Sequence, residues 1–380
     1  MKKWSNSTKI VVGLVVLLIV LVVARSMTYR RMAHVIAHQA ASQAAVEAGR
    51  KLILQGKLAR VFKDSTNHAK YMAIRTAQLF AVDTTMVEVE DHHMTMAEAA
   101  AGSLVEFLSD MELTVRAAAA DALGRMGKPA AKPLIEVGLN SPDKDVRSNS
   151  TRALTMIGEV AVPELIEAVK GGKPTQKVGA ATALGDLQTA RAISALIGAL
   201  SAKEVDVRLT CRDALVTLSA AAVQPLVGAL GDKSPFTRRH AAEALGEIGD
   251  PAAALPLLNL INDEHRLVRL AATYAVGKVK DPRAVPPLIA KLDDDDREMR
   301  EAAAVSLGQL ADQRAVARLI RSLSDPIEAV REQAAAALGR IKPSDPAQMA
   351  LIEAETRSSL EGARAAAVLA LGQIGSPNSV

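Results

Sequence analysis

Aromatic side chains are scarce in this chain: one Trp, three Tyr and four Phe among 380 residues. A groove that reads nucleic acid stacks bases on aromatic faces and lines itself with positive charge. Neither is present where a groove would form, so nucleic acid is not an expected partner. A single cysteine, Cys211, excludes an intramolecular disulfide and says little about compartment. No HExxH pair, Walker loop, glycine-rich dinucleotide turn or Ser-His-Asp order occurs. No catalytic residue is therefore nominated, no cofactor is expected, and the chain is read as a non-enzyme. Proline is absent before Pro129, so a helix near the start has nothing of that kind to break it.

Positive charge is missing from most of the molecule. The formal charge is +4, but residues 1–94 hold 13 Lys and Arg against 6 Asp and Glu. Of the totals of 46 and 42, that leaves 33 basic and 36 acidic residues for the rest. The basic balance belongs to the N-terminal part, and the remainder carries no polyanion-binding excess.

What the chain has in quantity is repetition. VRAAAADALGRMG at Val115 returns as VRLTCRDALVTLS at Val207, VRLAATYAVGKVK at Val268, MREAAAVSLGQLA at Met299 and VREQAAAALGRIK at Val330. Looser copies begin at Val146, Gln176, Thr237 and Ala363. Aligned on the basic residue they give Arg116, Arg147, Lys177, Arg208, Arg238, Arg269, Arg300, Arg331 and Arg364, in steps of 30 to 33 residues. A fixed period in this range means stacked supersecondary units. Hydrophobic residues are 49 % of the chain, so with so few aromatics the core is Ala, Leu, Val and Ile, which suits closely packed helices.

Each unit reads as two helices. The first carries a pair such as Leu134-Ile135, Leu196-Ile197 or Leu288-Ile289. Start signals precede it: Thr95 with Glu98 forms a capping-box pattern, and Asp250-Pro251, Asp281-Pro282 and Asp345-Pro346 set a cap before a first-turn proline. The second helix has apolar or small residues at −1, +3, +6, +7 and +10 from the basic residue, one buried face at helical period. Cys211 falls in the +3 column, otherwise Ala or Ser, and is read as a small core residue. His240 lies three residues from Glu243 and reads as a surface pair.

Ahead of the repeats, Ile10 to Ala24 is an unbroken apolar run flanked by Lys9 and Arg25. Its flanks can extend a short span toward bilayer thickness, with Trp4 and Tyr29 at the interfaces. We expect a single-pass membrane anchor over residues 1–28, spanning about 9–25; a cleaved signal peptide is the rival reading. Basic residues balance on its two sides, so the side that carries the repeats stays open. Residues 29–94 are expected to be a helical juxtamembrane segment, able to pack on the first repeat or on a partner's helix. Its second helical run is placed at Ala69 to Val82, followed by a short alternation in MVEVE. His34 and His38 stand one helical turn apart, and His92 with His93 follow Asp91 in an expected loop. Neither pair has further ligands at regular spacing, so both are read as solvated rather than metal-binding.

From residue 95 to 380 the units resemble HEAT repeats, specifically the short HEAT-like type associated with phycobilisome bilin lyases; the V-R…A…A-L-G…I-G core carries the likeness. The resemblance implies an all-α solenoid of about nine helical hairpins with the second helices on its concave side. It also implies a ladder between units, built from the Arg and an Asp six residues before it. Those pairs are Asp110 and Arg116, Asp232 and Arg238, Asp263 and Arg269, Asp294 and Arg300, and Asp325 and Arg331. The ladder is expected to be continuous from the fifth to the eighth unit. Without the resemblance these residues would be solvated turn charges and caps. Bilin-lyase-like, other cofactor-handling or chaperone-like activity is the alternative that the family invites, though repeat similarity alone does not transfer it.

The +5 position of each second helix points away from the buried face. Its column runs Asp121, Arg152, Thr182, Asp213 and Glu243, all polar, then Tyr274, Val305, Ala336 and Leu369. These side chains are the expected partner-binding row, with Tyr274, Val305 and Leu369 offering an apolar strip to a protein of a membrane-associated complex. The rival is that they merely pack locally. Gly375-Ser376-Pro377 aligns with Gly249-Asp250-Pro251, and the last helix has little polar surface. That face is expected either to meet another protein or subunit or to remain a frayed apolar edge.

Overall fold

The structure, a computed structural model, describes residues 43, 46–55, 58–62, 65–89 and 92–375. The apolar run expected to span a membrane, and His34 with His38, lie outside the described residues. Among the described residues no helix is long and apolar enough to cross a membrane. The chain divides between Leu187 and Gln188 into two compact units. Both are stacks of helical hairpins, the all-α solenoid architecture that the repeat period implies.

In the first unit, residues 46–54 are helical and are followed by α1 (Leu58–Phe62) and α2 (Asn67–Gln78). A hairpin of β1 (Met86–Val89) and β2 (His92–Thr95) comes next, pairing Met86 with Thr95 and Val89 with His92. The alternation in MVEVE is thus a strand, and His92 and His93 stand in its partner strand rather than in a loop. Then come α3 (Met96–Val105), α4 (Leu113–Met126), α5 (Lys128–Pro133), α6 (Lys144–Ile157), α7 (Val162–Gly171) and α8 (Pro174–Asp186). The capping box forms at α3: the Thr95 N–H donates to Glu98 Oε2 at 2.8 Å, and the Glu98 N–H to Thr95 Oγ1 at 3.2 Å.

Helix α2 packs on α3 and α4, as a repeat's second helix would. Its buried residues Ala69, Ala73 and Ala77 hold the −1, +3 and +7 positions relative to Lys70. Lys70 is itself buried, with its Nζ 2.7 Å from the equally buried Asp110 carboxylate. Of the two packings open to the juxtamembrane segment, α2 adopts the one against the first repeat. It repeats the pattern of the units after it, at a longer step because the β-hairpin is inserted between.

Residues Leu134–Gly138 continue α5 as one π-type turn. Pro133 lies inside that helix and brings no N–H to the ladder. Gln176 of α8 compensates, its Nε2 donating to the Ile135 carbonyl at 3.0 Å. Gly138 then lets α6 come close, since a Cβ there would stand 2.2 Å from Ser150 Oγ.

The second unit is more regular. It comprises α9 (Ile193–Ala199), α10 (Val205–Thr217), α11 (Ala220–Ala229), α12 (Pro235–Ile248), α13 (Ala254–Leu260) and α14 (Arg266–Val279). It continues with α15 (Val285–Lys291), α16 (Arg297–Leu310), α17 (Val316–Ser322), α18 (Glu328–Ile341), α19 (Pro346–Glu355) and α20 (Glu361–Ile374). Asp250, Asp281 and Asp345 cap as the Asp-Pro pattern predicts, each accepting the N–H two residues on at 2.8–2.9 Å. The Leu of each first-helix pair is fully buried at Leu196, Leu257, Leu288 and Leu319. Facing it are the alanines of the second helix, Ala241, Ala272, Ala303 and Ala334, and Cys211 sits buried in the same column. Successive second helices α12, α14, α16, α18 and α20 pack side by side.

Candidate protein-interaction surface

The basic residue that defines the repeat does two jobs. The first is the same nearly everywhere. In Arg116, Arg147, Arg208, Arg238, Arg269, Arg300, Arg331 and Arg364, Nη1 donates to the carbonyl six residues back at 2.7–3.0 Å. The guanidinium thus pins the interhelical turn to the helix that follows it, a charge-assisted contact. The Asp at that turn closes it from the other side. Asp110, Asp232, Asp263, Asp294 and Asp325 each accept the N–H two residues ahead at 2.7–3.0 Å.

The second job joins neighbouring units and varies along the chain. Arg238 forks onto Asp263 of the next turn, Nε to Oδ2 at 2.8 Å and Nη2 to Oδ1 at 2.9 Å, both side chains 9 % exposed. These hydrogen bonds hold the Arg238 guanidinium charged beyond its ordinary range. Burial pushes the Asp263 carboxyl up, but Arg238 and the His265 N–H pull it below the usual carboxylate value. Arg300 makes the same fork onto Asp325 at 2.8 and 3.1 Å. Between them the rung is open: Asp294 is held by Lys291 at 3.1 Å instead of by Arg269. Arg266, three residues ahead of Arg269, pairs with Asp296 at 2.6 Å and Glu298 at 2.8 Å. Elsewhere the neighbour's −2 residue meets the Arg. Asp145 lies 3.6 Å from Arg116, and the Phe236 ring centroid 4.6 Å from Arg208. Gly362 gives Arg331 room, since a Cβ there would stand 2.5 Å from its Cζ. The joints between units are therefore of several kinds, and the ladder is not continuous.

The +5 row differs between the two units. In the first, Asp121 pairs with Arg125 at 2.7 Å, and Arg152 and Thr182 are exposed. In the second, Asp213 is exposed and bound by Arg212 at 2.7 Å. Glu243 sits in a network: it accepts from Arg212 Nη1 at 3.2 Å and Arg239 Nε at 2.8 Å, and His240 Nδ1 lies at 2.9 Å. Burial pushes the Glu243 carboxyl up, yet hydrogen bonds from His240 and Arg239 and their charges outweigh it, bringing it down to about 2. Its ionised form therefore stabilises the fold fully above the ordinary value of 4.5, and that contribution is lost as pH falls through about 2. His240 pairs with Glu243 as its spacing suggests, but it is buried, not a surface residue.

Beyond this network the row turns apolar. Tyr274 is half-buried and packs on Leu270, Met299 and Ala302. Burial lifts its hydroxyl above the ordinary value, with Glu301 and Glu298 adding to the shift. Val305 and Ala336 are half-buried, and Leu369 is 41 % exposed. Adjacent helices α14 and α16 carry Tyr274 and Val305; Ala336 on α18 separates them from Leu369 on α20. Side-by-side packing of the second helices covers this row more than an isolated helix would suggest. Arg212 is the functional residue that the row alone misses. The signal for it was a long basic side chain at +4, where most other units place Ala or Thr.

These features define an α-solenoid of two-helix repeats with an Arg-pinned turn in nearly every unit. The family model for HEAT repeats matches residues 101–178, 133–216, 214–276 and 254–339. The chain belongs to the HEAT-repeat family. Solved structures with a similar fold include Kap95p in its complex with RanGDP (14 % identity, TM-score 0.54), covering 90 % of this chain and 55 % of that one. Kap121p bound to Pho4p matches at 14 % identity and TM-score 0.52, covering 88 % and 44 %. Kap95 in its Nup1 complex matches at 13 % and 0.51, covering 88 % and 54 %. This chain thus spans about half the length of those proteins, and at such identity the likeness is one of fold. No curated protein matches the sequence.

Proposed function

We propose that this chain is a protein-interaction scaffold whose recognition surface is the second-helix row of its second unit. The observation that carries the proposal is the change within that row. Asp213 and Glu243 form a charged network at one end, and Tyr274, Val305, Ala336 and Leu369 follow as an uncharged strip. A partner that places basic groups against the first half and apolar side chains against the second is matched along several helices at once. Structures of similar fold were solved with Pho4p and with Nup1 bound, which agrees with a protein partner in general. The proposal includes a concave placement of this row, the short HEAT-like repeat type, and a single-pass anchor at residues 9–25 holding the repeats beside a bilayer and a membrane-associated complex. No catalytic role and no nucleic-acid partner belong to it.

The test is affinity purification from gently solubilised membranes, comparing the natural chain with Val305→Asp combined with Leu369→Asp. Both side chains project from second helices with part of their surface open, so the fold should survive, as circular dichroism would verify. The proteins that co-purify with the natural chain should be lost from the variant. An identical set from both would sink the proposal.

A further inference from the structure

In the second unit each second helix accepts the next one through two columns. At +4 from the Arg stand Ala242, Thr273, Ala304 and Ala335, all buried. At +8 stand Gly246, Gly277, Gly308 and Gly339, whose missing side chains admit the neighbour. A Cβ on Gly246 would stand 2.8 Å from Ala275 Cα, on Gly277 2.8 Å from Ser306 Cα, and on Gly308 2.9 Å from Ala337 Cα. On Gly339 it would stand 2.5 Å from Gln373 Cβ. Helix α20 carries the same two columns as Val368 and Gly372. Here Val368 is 53 % exposed, and a Cβ on Gly372 would meet nothing within 4 Å among the described residues. The contact surface that every preceding helix of the series uses is present and open.

The exposed residues of that face are Ala365, Val368, Leu369 and Gly372, with Glu361 one turn before and Gln373 after. The order is small, branched, branched, small, and it is symmetric about the point midway between Val368 and Leu369. Laid antiparallel against itself, the strip sets Ala365 opposite Gly372 twice and Val368 opposite Leu369 twice. No charged group lies between Ala365 and Gly372, so no like charges oppose one another. A surface that complements itself under a two-fold rotation is what an isologous dimer requires. Small residues at both ends let the two helices approach closely, with the branched pairs filling the centre.

We infer that the α20 face is a homodimerisation surface, occupied by the same face of a second copy of this chain in an antiparallel two-fold pairing. The inference stands apart from the scaffold proposal. Leu369 belongs to both surfaces, whereas Val368 and Gly372 lie outside the +5 row.

Gly372→Leu is the cleanest probe, because the added side chain meets nothing within one chain and clashes only if a helix docks. Sedimentation of the full chain in mild detergent, with bound detergent subtracted, should give a dimer for the natural protein. Gly372→Leu and Val368→Glu should each give a monomer with unchanged helical content. An Ala365→Cys, Gly372→Cys double variant should form chain-to-chain disulfides on mild oxidation, since the two positions are too far apart along one helix to bond to each other and Cys211 is buried. A natural chain that sediments as a monomer overturns the inference. So does a dimer that both substitutions leave intact, or a double variant that stays monomeric on a non-reducing gel. Partner capture is read with Tyr274, Val305 and Leu369 in place, so its loss and the loss of dimerisation are distinguished.

Discussion

At the scale of the residue, one arginine explains why the repeat tolerates so much variation around it. The Asp six residues ahead is replaced by Ser in two units and by Ala in another, yet the Arg still reaches the turn, as Arg147, Arg208 and Arg364 show. Its acceptor is a backbone carbonyl, which every residue supplies. The carboxylate fork onto the next unit is an addition, made where local competition permits. Arg238 and Arg269 separate the two contributions. Both pin their own turn, but only Arg238 also holds a buried Asp of the neighbour. Truncating Arg238 to Ala strands Asp263 with one main acceptor contact, the His265 N–H. Loss of one partner of a buried pair costs about 3–5 kcal/mol, while loss of charge-assisted carbonyl contacts costs roughly 1.5–3 kcal/mol. Arg238→Ala should therefore lower stability more than Arg269→Ala, measured by urea unfolding of each variant. Equal losses would mean that the fork adds nothing.

At the scale of the element, the glycines at +8 decide how closely second helices approach. Adding one methyl to Gly277 brings it 2.8 Å from Ser306 Cα and 2.6 Å from Gln309 Oε1, so the neighbouring backbone must shift. Overpacking of that kind costs about 1–3 kcal/mol. Gly228, inside α11, has nothing within 4 Å of the same methyl. Gly228→Ala should instead gain roughly 0.5–1 kcal/mol through helix propensity. The two variants, compared by thermal melting, should move in opposite directions; a destabilising Gly228→Ala would show that the helix is covered there. Elements of this kind were mostly legible from the sequence. Period, caps and buried columns fixed the helices because each is a local pattern repeated many times. Three features were not legible, and for physical reasons. Lys70 stands on a helix without the V-R…A-L-G core, and an inserted hairpin hides its step to Arg116. The π-type turn after Pro133 depends on Gln176, 41 residues from the carbonyl that it satisfies. The open rung at Arg269 results from Lys291 and Arg266 competing for the same acidic turn, a contest of distances. The partner-binding row was read as fully outward, but parallel neighbours bury part of it, most plainly at Tyr274.

At the scale of the whole molecule, stability in such an array is a sum of units and the contacts between nearest neighbours. If that holds in the second unit of this chain, one complete repeat is removable without loss of fold. Deleting residues 251–281 removes 31 residues and sets Asp250 directly before Pro282. The cap then re-forms from matching parts, because Asp250 and Asp281 both accept the N–H two residues on at 2.8 Å. Helix α12 meets α16 in place of α14. Gly246 then faces Ser306 where it had faced Ala275, a small residue for a small one, and Arg238 meets the turn of Asp294 where it had met that of Asp263. The new joint lacks Tyr274 and its packing on Leu270, Met299 and Ala302, so the melting temperature should fall. Helical content per residue should stay the same, and unfolding should remain cooperative within the shortened unit. Circular dichroism of the deletion variant reads both quantities. A loss of helix well beyond the share of the deleted residues would mean that the repeats are not interchangeable. The open rung and the bidentate forks would then be specific keys that fix each unit to its own neighbour.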